Sequence, residues 1–216
     1  MKIGVFDSGI GGQAVARRIG DLLPDAEIIS INDHEHVPYG LRSAQEVIEL
    51  TTAAIQPLLE AQCDAIVIAC NTATTLAIRH LRYTYPAINF VGIEPMVKPA
   101  AALTKTQHIA VLATPGTLAS PRYQELKDTW AKGIAIDEPD CSSWAQLIES
   151  GQADTLPIEE IILPLLDSGV DVIVLACTHY HWIKDRIASL VGTRAAILEP
   201  SDAISNRIQT IIGNTL

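Results

Sequence analysis

The chain has 216 residues and a formal net charge of −10, from 15 Lys and Arg against 25 Asp and Glu. That balance, with Arg17-Arg18 as its one adjacent basic pair, argues against a nucleic-acid partner, whose phosphates need clustered cations. At 48% hydrophobic and 19% charged residues the chain can offset its ordering entropy by burial, which excludes disorder, and its length suits one large α/β domain or two small lobes.

Met1 leads straight into the strand-like Lys2-Ile3-Gly4-Val5-Phe6 with no room for a leader, and no apolar run approaches the ~18 residues of a bilayer span. Cys63, Cys70, Cys141 and Cys177 are too few and too far apart for a secreted disulfide framework. A cytoplasmic protein with free thiols and no membrane partner is expected. Strands are predicted near 2–6, 27–31, 65–69, 89–92, 109–113, 171–175 and 195–198, each followed by helical periodicity, which is the pattern of an α/β fold with parallel sheets.

The first strand runs into Asp7-Ser8-Gly9-Ile10-Gly11-Gly12, a glycine-rich turn whose N–H groups can hold an anion at a helix start. The Lys-Ser/Thr ending of a phosphate loop is missing and Asp7 repels phosphate, so a carboxylate near Ser8 with an ammonium near Asp7 fits better. The plain alternative makes Asp7 a helix N-cap. After the second strand, Pro38-Tyr39-Gly40 offers N–H groups and an aromatic wall at the same sheet edge, or an ordinary turn. His34 and His36, like the run Cys177–His181, lack a complete ligand set of standard spacing, and no metal is expected at either.

Ile3–Asp7 resembles Ile109–Ala113 at an offset of 109 − 3 = 106. Asp64–Thr72 matches Asp171–His179 at 177 − 70 = 107, and Ile93-Glu94-Pro95 matches Leu198-Glu199-Pro200 at 199 − 94 = 105. Three matches at one period indicate a duplication. Two pseudo-symmetric lobes follow, 1–94 with 199–216 and 95–198, each a parallel sheet flanked by helices, with the site in the cleft between them. Each Glu-Pro pair marks a crossing between lobes, since the residue before proline is biased away from helix.

Cys70 and Cys177 both end apolar strands and precede helix-like segments, the place where open parallel sheets bind ligands. A helix dipole there is expected to lower each thiol from about 8.5. One such cysteine is more often a small core residue, but the duplication sets these two on opposite sides of one cleft. Inversion at a carbon needs that arrangement, because one group removes a proton from one face while another returns a proton to the opposite face. Asn71-Thr72 and Thr178-His179 follow the thiols and either face the cleft or cap the next helices. Cys63, at a helix end, and Cys141, in a polar loop, are expected to be inert.

With Asp7-Ser8-Gly9, Pro38-Tyr39-Gly40, Cys70-Asn71-Thr72 and Cys177-Thr178-His179-Tyr180, the sequence resembles the glutamate racemases of the aspartate/glutamate racemase superfamily. Gly92-Ile93-Glu94-Pro95, Leu112-Ala113-Thr114 with Thr117, and Ile148-Glu149-Ser150-Gly151 extend the match over nearly the whole chain. The resemblance implies that Cys70 and Cys177 exchange the α-proton with no pyridoxal phosphate, other cofactor or metal. It implies that Asp7, Glu149 and His179 assist, and that Asp7, Ser8, Pro38, Tyr39, Gly40, Asn71, Thr72, Thr117, Thr178 and His179 hold an acidic amino acid. It further implies a homodimer making D-glutamate for peptidoglycan in a bacterial cytoplasm. Aspartate or a broader acidic range is the alternative substrate choice, and a racemase-fold binding protein without turnover is the alternative class.

Overall fold

The computed structural model describes residues 1–200 together with Ile208 and Thr210. Two four-stranded sheets, every pairing parallel, form its frame. The first comprises β1 (Lys2–Asp7), β2 (Glu27–Asn32), β3 (Ala65–Ile68) and β4 (Asn89–Gly92) in the order β2-β1-β3-β4. The second comprises β5 (His108–Ala113), β6 (Ala135–Asp137), β7 (Val172–Ala176) and β8 (Ala196–Leu198) in the order β6-β5-β7-β8. The second order repeats the first strand for strand, as a duplicated unit requires.

Parallel strands covered on both faces read as continuous apolar runs because alternate side chains enter different cores. Ile3 and Val5 of β1 pack with Val15, Ile19 and Val67, whereas Phe6 packs on the opposite face with Val47, Leu58, Ile66 and Ile68. In the second sheet Leu112, Ile173 and Leu175 join Trp144, Ile162 and Tyr180, while Val111, Val172 and Val174 face Tyr123 and Leu126. Burying a side chain of this size fully stabilises by roughly 1.5–3 kcal/mol.

Seven strands lie where the apolar runs put them, to within a residue or so; β6 is an addition. After Glu94-Pro95 the helix Val97–Leu103 buries Val97 and Ala100 against the second sheet, so the chain changes sheets there. The second Glu-Pro follows β8, and helical Ile208 is buried among Ile3 and Val5 of the first sheet and Ile19 of the helix Gly12–Leu22 packed on it. Of the residues after Pro200, Ile208 and Thr210, both helical, are the ones described. Among those residues no helix is long and apolar enough to cross a membrane.

The segments after the cysteines differ. Helix Asn71–Thr84 begins directly after Cys70, whose sulfur accepts from the Ala73 N–H at 3.5 Å. Cys177 instead precedes a 3-10 turn, Thr178–Ile183, with the α-helix Lys184–Val191 beyond it.

Candidate active site

Asp7 ends β1 and is fully buried. One carboxylate oxygen accepts from the Gly9 N–H at 3.0 Å and the other from the Thr178 hydroxyl at 2.9 Å, which ties the two halves together. It is not a helix cap, for the next helix starts after Gly11 without a side-chain cap. Burial pushes its carboxyl above the ordinary range, against the His179 charge and the Gly9, Thr178 and Gly12 donors. Ser8 donates to Cys70 Sγ at 3.4 Å.

The Cys70 thiol does not follow the expected lowering. Burial, then the nearby Asp7 charge, pushes it up to about 12, although the Ser8 hydroxyl and the Ala73 N–H both favour the thiolate. The helix start contributes the expected sign, and desolvation outweighs it.

Around Cys177 the partners are ionic. His179 Nδ1 lies 3.8 Å from Cys177 Sγ, and its Nε2 lies 2.6 Å from Glu149 Oε2. Burial alone would lower this imidazole, but its contacts with Cys177 and Glu149, helped by the Asp7 charge, raise it to about 10. Burial likewise opposes ionisation of Glu149, yet donors from His179, the Ile10 N–H and His34 bring it down to about 2. An imidazolium and a carboxylate therefore coexist at neutral pH. Gly9 permits this close approach, since a Cβ there would overlap Glu149 Oε2 and His179 Nε2.

Both thiols border one cavity whose remaining room, ≈ 10 Å³, is on the order of a single water molecule. Its lining repeats the duplication: Ser8 with Thr114, Cys70 with Cys177, Asn71 with Thr178 and Thr72 with His179. The offset is 114 − 8 = 106 for the first pair and 177 − 70 = 107 for the second. A hollow of ≈ 520 Å³, lined in part by Arg82, Glu94, Lys98 and Arg122, touches neither thiol.

Pro38, Tyr39 and Gly40 all reach the cavity wall. Tyr39 is fixed by donating to Asp33 at 2.6 Å, and Gly40 lies so close to Thr114 that a Cβ would overlap it. Thr117 stands behind the lining, 3.2 Å from Thr72 and 3.1 Å from Thr114, so Thr114 takes the wall position expected of it. The duplication held the signal for Thr114, which sits after β5 where Ser8 sits after β1. Asn71 is buried with neither side-chain amide atom hydrogen-bonded, an arrangement that calls for a ligand at that point.

The histidines weighed for metal binding have carboxylate partners instead, His34 on Glu149, His36 on Asp33 and His181 on Glu199. Among the described residues no group of three or more His, Cys, Asp or Glu is placed to hold a metal ion. All four cysteines are free. Cys141 lies in the polar loop between β6 and the helix Trp144–Glu149, with its side chain buried beside Trp144 and its carbonyl accepting from the Tyr180 hydroxyl at 3.2 Å.

A repeated fold that brings two thiols, each with its own acid–base surroundings, to one small cavity is the architecture of a racemase, an isomerase that inverts one carbon centre. The chain belongs to the Asp/Glu/hydantoin racemase family, which its residues 12–206 match. The glutamate racemase of Ectopseudomonas mendocina is 38% identical to it over 215 residues, covering 98% of this chain and 82% of that protein. The crystal structure of Escherichia coli glutamate racemase in complex with L-glutamate superposes with a TM-score of 0.86 at 28% identity, covering 98% of this chain and 82% of that one. The Bacillus anthracis glutamate racemase gives 0.85 at 29% identity, covering 99% and 82%.

Proposed function

We propose that the protein interconverts L- and D-glutamate, with Cys70 and Cys177 exchanging the α-proton from opposite sides and no cofactor taking part. The observation that carries this reading is the pair of sulfurs bordering one cavity at equivalent strand ends. The names of the 38%-identical relatives favour glutamate, and the unpaired Asn71 amide offers a donor and an acceptor to an amino-acid backbone.

At neutral pH Cys70, pushed up to about 12, carries its proton. His179 Nδ1 stands 3.8 Å from Cys177 Sγ, within reach of a proton on that sulfur. In one direction Cys177 removes the α-proton while Cys70 delivers its own to the opposite face. The sulfurs finish with protonation exchanged, which is the starting state for the reverse direction. Asp7 and Ser8 serve Cys70, while His179 and Glu149 serve Cys177. Ser8, Tyr39, Gly40, Asn71, Thr72 and Thr178 hold the substrate, with Thr114 supporting Thr72 at 2.8 Å.

Residues 1–94, joined by Ile208, form one lobe and 95–198 the other. The lobes part to admit glutamate and close to exclude water, since the closed cavity is far smaller than the ligand. The product supplies D-glutamate for peptidoglycan in a bacterial cytoplasm, and the working unit is a homodimer. Incubation with L-glutamate in deuterated water, without added cofactor, is expected to give D-glutamate bearing α-deuterium in the proton NMR spectrum. Exchange with aspartate but not glutamate would overturn the substrate, and exchange with neither would overturn the reaction.

A further inference from the structure

We propose that His34 is a positioning residue for this reaction, reaching from the first half of the molecule to fix Glu149 and, through Glu149, the His179 imidazole beside Cys177. The proposal rests on the racemase reading of the site and adds a residue to it.

The contacts form one line across the cleft. His34, on the loop after β2, puts Nδ1 2.9 Å from Glu149 Oε1. The other oxygen, Oε2, accepts from the Ile10 N–H at 3.0 Å and lies 2.6 Å from His179 Nε2. His179 Nδ1 completes the line 3.8 Å from Cys177 Sγ. Two of the three groups on Glu149 thus come from the first half, although Glu149 itself belongs to the second.

Glu149 needs this help because of where its backbone lies. It is the last residue of the helix Trp144–Glu149, the end at which unpaired carbonyls disfavour an anionic side chain. Donors must hold the carboxylate against that field. Ile10 and His179 crowd onto one oxygen, which leaves the second to His34. Without His34 the carboxylate can turn about its own axis, and His179 loses a fixed acceptor. The His179 ring, though buried, is then free to tilt away from the sulfur.

His34 works by orientation and not as a link in a proton chain. Glu149, held down at about 2, stays ionised throughout turnover and does not pass protons between the two rings. The ionisable groups facing this line are Asp7 and Cys177 at the His179 end, and none of them contacts His34 in place of Glu149. His34 is about half exposed, with 51% of its side-chain surface in solvent, so replacing it leaves the core intact.

The test compares His34→Ala and His34→Gln with the wild-type chain in glutamate turnover and in the imidazole NMR signals of 15N-histidine-labelled protein. His179 is assigned by the signals missing from His179→Gln. His34→Ala is expected to lower kcat about tenfold with little change in KM, the loss of one hydrogen bond to a charged group. His34→Gln, which retains a donor, is expected to recover most of it. The His179 signals are expected to move in the Ala variant and to return toward wild type in the Gln variant. A His34→Ala protein with wild-type kcat, a loss that Gln does not recover, or unmoved His179 signals would overturn the proposal. Turnover by the wild-type chain tests the proposed function separately, because the His179 signals respond whether or not glutamate is turned over.

Discussion

Cys70 and Cys177 stand at equivalent strand ends and in unlike electrostatic company. Burial and the charge of buried Asp7 keep the proton on Cys70, outweighing the Ser8 hydroxyl and the Ala73 N–H at the helix start, which both favour the thiolate. Cys177 has an imidazolium backed by a carboxylate beside it. The difference separates two contributions. The repeated backbone decides where the sulfurs are, and a few side chains next to them decide what charges each one meets.

The most severe way to break this comparison is to remove the sulfurs one at a time. Cys70→Ser and Cys177→Ser are each expected to lower racemisation at least about a thousandfold, because a hydroxyl is a far poorer acid–base group at neutral pH. Each variant is expected to retain α-deuterium exchange with at most one enantiomer, read separately for L- and D-glutamate by NMR. Full racemisation by either would show that the two sides are not both needed.

A charge change on one side alone sharpens it further. Glu149→Gln removes the anion that holds up the His179 imidazole, and is expected to cost roughly a hundredfold in kcat/KM. The basic limb of the pH–rate profile, set by an imidazole near 10 in the wild type, should move down toward the ordinary histidine value of about 6.5. The stability profile follows by linkage. Stabilisation from His179, whose value is raised, is complete below about 6.5 and lost as pH rises through about 10. Stabilisation from Glu149, whose value is lowered, is present above about 4.5 and lost as pH falls through about 2. Melting temperatures of the wild type and Glu149→Gln should therefore differ most between about 4.5 and 6.5. Equal differences at all pH values would remove the ion pair from the account.

The mildest contrast uses the counterparts Ser8 and Thr114. Ser8→Ala removes a donor to Cys70 and should lower kcat roughly tenfold with little change in stability. Thr114→Val removes three contacts of the hydroxyl, to the Thr72 and Thr117 hydroxyls and from the Thr117 N–H that it caps, and should cost about 1–2 kcal/mol, read as a fall of several degrees in Tm. A larger catalytic loss from Thr114→Val than from Ser8→Ala would reverse the assignment.

The sheets were legible because their strands are apolar on both faces and recur at a fixed period. β6 was not, since three residues leave no periodic run, and Ala135-Ile136-Asp137 is defined by its pairing with His108–Ala110. The two thiols and the Asp7-Ser8 turn came from strand-end position. Glu149 came only through the resemblance, as its contact with His179 spans thirty residues and depends on a six-residue helix. The sign of the Cys70 shift was misjudged because a helix start can be seen in a sequence and the depth of burial cannot. Thr114 was within reach of the repeat, yet Thr117 was named in its place.

The unlike company of the two sulfurs has a consequence for enantiomer kinetics. Mirror-image amino acids in water have equal free energy, so kcat/KM for the L and D forms must be the same whatever surrounds each sulfur. The asymmetry can surface only within that ratio, where a tighter-held enantiomer must also turn over more slowly. Unequal Michaelis constants matched by equally unequal turnover numbers are thus the kinetic imprint of a symmetric backbone carrying asymmetric charges.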